Sequence, residues 1–384
     1  MFVAACLIAV IPAAGQSDAS PRSAMLVRIA GRDPSPLFEA ATPLLLDYVE
    51  SIVPKEKRAA IYDARDRADL LQRIEAAAGK DLIDLGSEMF AYYESRAPRD
   101  FDPSWTAFPA GAFLVHVHPG STADRERALI SREINSVTIN ALRALGLTEE
   151  FAAAQAALKP AAPESAGLIP IYLYAARKEP GAAKISKTST GNATLGATII
   201  DKAGRLTFEA HILYFNALSL PVIEHEAAHA VVMLGTFDVV ALTAKPLDGE
   251  SDLRKAFFAG LRKIPTFLQE GLGDWAFYYH GFHNQWGLLP SPESLLALLR
   301  REGRTLPLPE LLAGDIRYAA KNRKAYSLEA AAFLQYLLKT YGTDRVKRWL
   351  FTNETSGAKT FAVVFGLPLE AAEKEFLAAA GGVR

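Results

Sequence analysis

The segment at residues 220–234, LPVIEHEAAHAVVML, constrains the fold of this 384-residue chain more than any other. Its apolar residues predict a buried helix. That helix also contains His225, Glu226 and His229, and each of these side chains needs a partner once it has left water. The helix can therefore be buried only where other residues, or an ion, satisfy them.

The spacing of these three side chains predicts a zinc site. Residues four apart lie on one face of a helix, so the imidazoles of His225 and His229 can bind one ion, each at about 2.1 Å. Glu226 is turned aside from that pair and is placed to take a proton from a water molecule, as a general base does. The alternative is a chance match in a core helix, which Pro221 begins and Gly235 ends.

A second segment offers what two histidines lack, because a catalytic zinc ion needs a third protein ligand. The sequence IPTFLQEGLGDWAFYY, residues 264–279, places Glu270 near a helix start and Asp274 one turn later. Glu270 is the candidate third ligand. Asp274 is the candidate acceptor for the outer N–H of a ligand histidine, which would fix its tautomer. The alternative for both carboxylates is a solvated helix face.

The composition excludes several classes of partner and ligand. The chain has 42 basic and 43 acidic residues, a net charge of -1, and no long run of one sign. Neither nucleic acid nor an anionic membrane is therefore the expected partner. Cys6 is the only cysteine, so a metal in the mature chain would be held by histidines and carboxylates.

The first residues, MFVAACLIAVIPAAGQSDAS, predict a signal peptide at 1–16 and export to a periplasm or the cell exterior. The apolar run is too short to span a bilayer, so no membrane span is expected after cleavage. The tetrapeptide VAAC, ending at Cys6, resembles a lipoprotein cleavage box. Only two residues precede it, so a soluble exported form is the main expectation.

Periodicity predicts an α+β chain with three regions after the signal peptide. A helical region is expected at 17–108 and ends in a connector rich in Pro and aromatic residues, APRDFDPSWTAFPAG. A half with a sheet is expected at 109–235 and a helical half at 236–384. The predicted strands are 112–120, 168–176, 196–200 and 205–215, and one long helix is predicted at 122–146.

These motifs resemble those of the gluzincin metallopeptidases, in which HExxH is followed by a Glu and then an Asp. The stretch PTFLQEGLGDW is similar to the P-x-W-L-x-E-G-L-A signature of the peptidase MA-like families of bacterial exported proteins, with Phe267 in the place of the usual Trp. The similarity covers roughly 111–380. It implies a zincin-like, thermolysin-like catalytic domain in which a mixed sheet is followed by a helical subdomain.

The resemblance also implies roles for individual residues. It places one zinc ion per chain on His225, His229 and Glu270, with Glu226 as the base and Asp274 behind a ligand. Forty residues separate the second histidine from Glu270, so an insertion must lie near the cleft. The GxMEN motif of aminopeptidases is absent from the sequence, which argues against that activity.

A donor to the tetrahedral oxyanion is the remaining part of such a site. The resemblance places Tyr326 there, with His280 as the second candidate. A core tyrosine with a satisfied hydroxyl is the alternative for Tyr326. The strand at 205–215 is expected to be the edge strand that holds a peptide by main-chain pairing, so His211 is expected to line the cleft.

The sequence thus predicts an exported zinc metallopeptidase, an endopeptidase acting on a peptide or protein substrate. Three alternatives stay open: a catalytically silent binding module with the same fold, a helical protein with a fortuitous motif, and a zinc hydrolase of a non-peptide amide or ester. The sequence sets neither the oligomeric state nor the role of the N-terminal helices.

Overall fold

The computed structural model describes residues 20–80, 82–97, 102–158, 167–185, 190–200, 202–261, 266–314, 321–351 and 357–381. The predicted signal peptide at 1–16 lies outside these residues. The chain divides into two compact units, Met1–Leu85 and Gly86–Arg384. The division falls closer to the N-terminus than the sequence boundary at residue 108.

The first unit is helical, as its periodicity predicts. Side-chain oxygens of Ser20, Ser35 and Asp66 cap three of its helices, and Gly79, with a φ of 65°, ends the last of them. The helices are α1 (Pro21–Arg32), α2 (Pro36–Ile52), α3 (Lys55–Tyr62) and α4 (Arg67–Ala78), and α5 (Leu82–Arg96) continues into the second unit.

The second unit begins with alternating strands and helices and continues as helices alone, so the α+β class is confirmed. Its first elements are β1 (Thr106–Ala110), β2 (Phe113–Val117), α6 (Thr122–Arg125), α7 (Arg127–Ala144), α8 (Thr148–Ala157), β3 (Ile169–Tyr174), β4 (Gly191–Ile200), β5 (Ala203–Leu213) and α9 (Leu220–Thr236). The helices that follow are α10 (Val239–Thr243), α11 (Glu250–Gly260), α12 (Thr266–His280), α13 (Phe282–Trp286), α14 (Pro292–Arg301), α15 (Leu308–Ala313), α16 (Arg323–Tyr341), α17 (Thr343–Leu350), α18 (Gly357–Phe365) and α19 (Leu369–Gly381).

The strands form one mixed sheet in the order β1-β2-β3-β5-β4. β2, β3 and β5 are parallel neighbours, whereas β1 and β4 pair antiparallel at the two edges. Helix α9 packs between this sheet and the later helices, contacting α7, α8 and α12. The motif helix is therefore at the centre of the second unit.

Several elements differ from the sequence prediction, among them β4, which was predicted at 196–200 and begins five residues earlier at Gly191. The expected connector contains β1, in which Phe108 and Ala110 are buried while Pro109 is exposed. An edge strand tolerates Pro because one side of its backbone needs no ladder bond. The long helix predicted at 122–146 is two helices, since α6 ends at Arg125 and α7 begins after Glu126.

Helix α9 is the central core helix that its apolar sequence predicts. Among the described residues, the segment Ala217–Thr236 is the one helix long and apolar enough to cross a membrane, and 67% of its most apolar window is buried inside the protein. Ile223, Ala227 and Val231 have no exposed surface. The helix ends one residue beyond Gly235, at Thr236.

The helical half contains a buried carboxyl group that makes stability depend on pH. Glu329 on α16 is 1% exposed, and its Oε1 accepts the N–H of Leu306 at 2.8 Å. Burial, with a further contribution from Glu373, raises the pKa of Glu329 to about 8. The folded protein therefore binds this proton more tightly than the unfolded chain, whose glutamates have ordinary pKa values near 4.5.

We expect Glu329→Gln to stabilise the protein at alkaline pH. The stabilisation that the bound proton gives is complete below the unfolded pKa and is lost as pH rises through about 8, whereas Gln stays neutral. Thermal melting should show a Tm several degrees above wild type at pH 9 and a small difference at pH 5. The control is Glu370→Gln, at an exposed carboxylate on α19. An equal shift at both pH values would contradict the assignment.

Candidate metal centre

The candidate site forms where α12 crosses α9, and two glycines allow the close approach. A Cβ on Gly273 would lie 2.5 Å from the ring of His225, and a Cβ on Gly271 would lie 2.7 Å from Cβ of Ala330 on α16. Contacts below 3.0 Å are not seen for real Cβ atoms. The EGLGD sequence is therefore explained by a helix that passes tightly between two others.

This crossing brings together the three predicted metal ligands. His225 Nε2 lies 2.9 Å from His229 Nε2 and 3.9 Å from Glu270 Oε2. One ligand atom from each residue lies within 4.8 Å of the others. Two atoms bound tetrahedrally to one zinc ion at about 2.1 Å are about 3.4 Å apart, a value between the two distances. The arrangement could hold a metal ion.

Asp274 lies behind His225, as the sequence predicted. Its Oδ1 is 2.7 Å from His225 Nδ1. The carboxylate is an acceptor, so Nδ1 donates, and in the neutral imidazole the lone pair is then on Nε2, facing His229 and Glu270. A tautomer fixed in this way leaves the correct nitrogen free for a metal.

The charges around His225 favour a cation at this place. Burial lowers the pKa of His225, but the hydrogen bond to Asp274 and the charges of Asp274, Glu226 and Glu270 outweigh it and raise the pKa to about 9. Burial and the neighbouring His225 charge lower the pKa of His229 far below its ordinary value. Three carboxylates therefore surround two imidazoles, and the site attracts positive charge.

Glu226 is 8% exposed and lies outside the group of three ligand atoms. Its side chain packs beside the start of β4. A Cβ on Gly191 would lie 2.7 Å from Glu226 Oε1 and 2.9 Å from a methyl group of Val222. Glycine at position 191 therefore makes room for the Glu226 carboxylate. No sequence motif indicated this role for Gly191.

Neither oxyanion candidate is shown to face the ligand cluster. Tyr326 has no exposed surface, its hydroxyl donates to the carbonyl oxygen of Leu311 at 3.4 Å, and its ring contacts Phe267 edge to face. His280 contacts Trp275 edge to face with a buried Nε2, and burial lowers its pKa. The assignment of an oxyanion donor stays a prediction.

The edge-strand prediction was wrong in its choice of strand. β5 lies between β3 and β4, and β4 is the edge. His211 on β5 is 3% exposed and its Nδ1 lies 2.8 Å from the hydroxyl of Tyr174. The burial of β5 alternates regularly because one of its faces packs on the core, whereas β4 alternates weakly because most of it is half-exposed.

Glu224 is a further buried carboxylate of α9 that the motif analysis missed. It has no exposed surface, and its two oxygens accept the N–H of Phe282 at 2.8 and 3.0 Å. Gly281 permits this contact, because a Cβ there would lie 2.3 Å from Glu224 Oε2. The bond ties α9 to the chain directly after α12. A charged residue in an apolar helix was the signal that could have revealed it.

Comparisons with protein families, with curated proteins and with solved structures found no match to this chain. The description of the site therefore rests on the residues and distances of this chain alone.

We expect the purified mature chain to bind about one zinc ion and Glu270→Ala to lose or loosen it. Elemental analysis after gel filtration measures this, with Glu302→Ala, at an exposed carboxylate, as the control.

Asp274→Asn should weaken zinc binding by about 10–100-fold in competition with a chelating dye. An absence of zinc from the unmutated chain, even after incubation with the metal, would exclude the assignment of a zinc site.

Proposed function

We propose that the protein is an exported zinc-dependent metallopeptidase of the gluzincin type, with a thermolysin-like catalytic domain, and that it cleaves peptide bonds as an endopeptidase. One observation carries the proposal. His225 and His229 of α9 meet Glu270 of α12 in one cluster, with Asp274 hydrogen-bonded to the first histidine. Chance pairing of two motifs 40 residues apart is not expected to supply both a third ligand and a carboxylate bonded to the first histidine.

The residues of the cluster divide into ligands and a base. His225, His229 and Glu270 would hold zinc, and the ion would supply a Lewis acid that polarises the substrate carbonyl and the attacking water. Glu226, beside the ligands and not among them, takes the proton from that water and passes it to the leaving amine. Asp274 holds the His225 ring in the tautomer that binds metal.

A polypeptide substrate fits the surroundings of Glu226. The edge strand β4 begins at Gly191, next to the carboxylate, so an extended chain paired along β4 would pass the base. A small amide or ester is too short to pair along the edge of a ten-residue strand. The presence of Glu226 also argues against a catalytically silent binding module.

We expect Glu226→Gln to keep the zinc ion and to lose hydrolysis. The amide cannot accept the proton of the attacking water, so kcat for casein digestion should fall by about 10²–10⁴-fold. Fluorescence of labelled casein measures the rate, and elemental analysis measures the metal. A control with Glu302→Ala should retain both. Wild-type activity in the Gln variant would exclude Glu226 as the base.

Tyr326→Phe tests the oxyanion assignment. If the hydroxyl leaves Leu311 and donates to the developing negative charge, its loss should lower kcat by about 10²-fold or more at unchanged zinc content. The hydroxyl bonded to a backbone carbonyl in the core is the competing arrangement. An unchanged kcat with a lowered Tm would remove Tyr326 from the mechanism.

A further inference from the structure

The two edges of the sheet differ in how well they are protected. Edge strands commonly contain Pro or charged residues, which prevent pairing with another chain. β1 has five residues and includes Pro109. β4 has ten residues, GNATLGATII, without a proline or a charge. No strand among the described residues pairs with the outer edge of β4.

The register shows which backbone groups of β4 face outward. Thr190 accepts the N–H of Leu213, and the pairing continues without a bulge to Ile200 opposite Ala203. Hydrogen-bonded and non-bonded pairs alternate in an antiparallel ladder. Even-numbered residues of β4 therefore bond to β5, whereas the odd-numbered residues 193, 195, 197 and 199 direct N–H and C=O away from it.

The far end of β4 lines a groove with α11, in the insertion between the two motifs. The groove has a volume of about 490 Å³, within the range of ligand pockets. Ile199 and Phe258 line it and are 38% and 60% exposed. Together with Ile200 and Val240 they make up four of the nine large hydrophobic side chains exposed in the described part of the chain.

The charges of the groove favour a neutral occupant. Glu250 and Arg254 stand one turn apart on α11 and contribute opposite charges to its lining. An apolar side chain gains from burial against the exposed Phe258 and Ile199, whereas a charged one gains no net attraction from a lining in which Glu250 and Arg254 cancel. Thr198 in the groove is seven residue steps from Gly191, which lies beside Glu226, or about 23 Å of extended chain.

We propose that this groove is an exosite for the polypeptide substrate. An extended segment of the substrate pairs with the outer edge of β4 and places an apolar side chain, about six to eight residues from the scissile bond, between β4 and α11. The inference rests on the proposed peptidase function and names the class of substrate: long, extended polypeptides with an apolar residue at that distance.

The test compares matched peptides on the zinc-loaded full-length mature chain. Casein digestion first maps a cleaved bond, and synthetic peptides are then built around it. The short peptide has three residues on each side. The long peptides add six residues to one side or the other, with Leu or with Asp at six to eight residues from the bond. One long Leu peptide should have a KM about tenfold below that of the short peptide and of its Asp counterpart.

The variants show whether the groove causes this preference. Phe258→Ser removes an exposed side chain, and Ala197→Pro removes an outward N–H while keeping the ladder to β5. Either should reduce the tenfold ratio of KM values to about twofold. Ile139→Ala, at an exposed residue of α7, is the matched control and should keep the ratio. Circular dichroism melting confirms that each variant is folded.

Three outcomes would overturn the inference, and they are distinguishable from each other. Equal KM values for short and long peptides in the unmutated chain would exclude the exosite and leave the peptidase proposal standing. A dimer in light scattering that Phe258→Ser dissociates would identify the groove as an interface between copies. Cleavage of neither casein nor any peptide by the zinc-loaded chain would remove the peptidase function and the exosite with it.

Discussion

The hydrogen bond between His225 Nδ1 and Asp274 Oδ1, 2.7 Å long, is the interaction on which the site depends. It joins α9 and α12 at their crossing and sets the imidazole tautomer. The bond requires the helices to approach closely, and Gly273 permits this, since any side chain there would occupy the space of the His225 ring. The absence of a side chain at Gly273 thus decides whether the ligand atoms can converge.

The same constraint explains how an apolar core helix can contain four ionisable side chains in six residues. Two of them meet a partner from another element, and His229 meets one on its own helix. Asp274 bonds His225, the N–H of Phe282 bonds Glu224, and His229 faces His225. An isolated charge in the core would cost several kcal/mol, and a hydrogen-bonded partner offsets part of that cost. Burial of α9 and assembly of the site are therefore one requirement.

The sequence predicted those parts that depend on spacing along one helix. The positions of His225 and His229 follow from the helical repeat, and the cluster with Glu270 follows because zinc needs a third ligand. Features that depend on how elements meet were not predictable in this way. Gly191 beside Glu226 is an example, since nothing in its local sequence says which side chain a strand start will approach.

Strand order was the other limit of the sequence analysis. β5 has clear alternation because one of its faces is buried and the other is half-exposed, and this regularity made it the expected edge strand for a peptide. The edge strand β4 has the weaker pattern because much of it is half-exposed on both faces. Alternation reports burial and not position in a sheet. The absence of proline and charge from β4 leaves its outer backbone groups able to pair, but β2 also lacks both inside the sheet, so composition alone does not identify the edge.

An open edge carries a risk of aggregation, so its place in the fold is informative. β1 is short and contains Pro109, which shows that this chain protects an edge where pairing has no use. β4 is twice as long and unprotected, and its two ends lie beside Glu226 and beside the apolar groove of α11. A strand of bound polypeptide would cover the edge along its length and connect both places. Protection at one edge and its absence at the other therefore favour a substrate long enough to span β4.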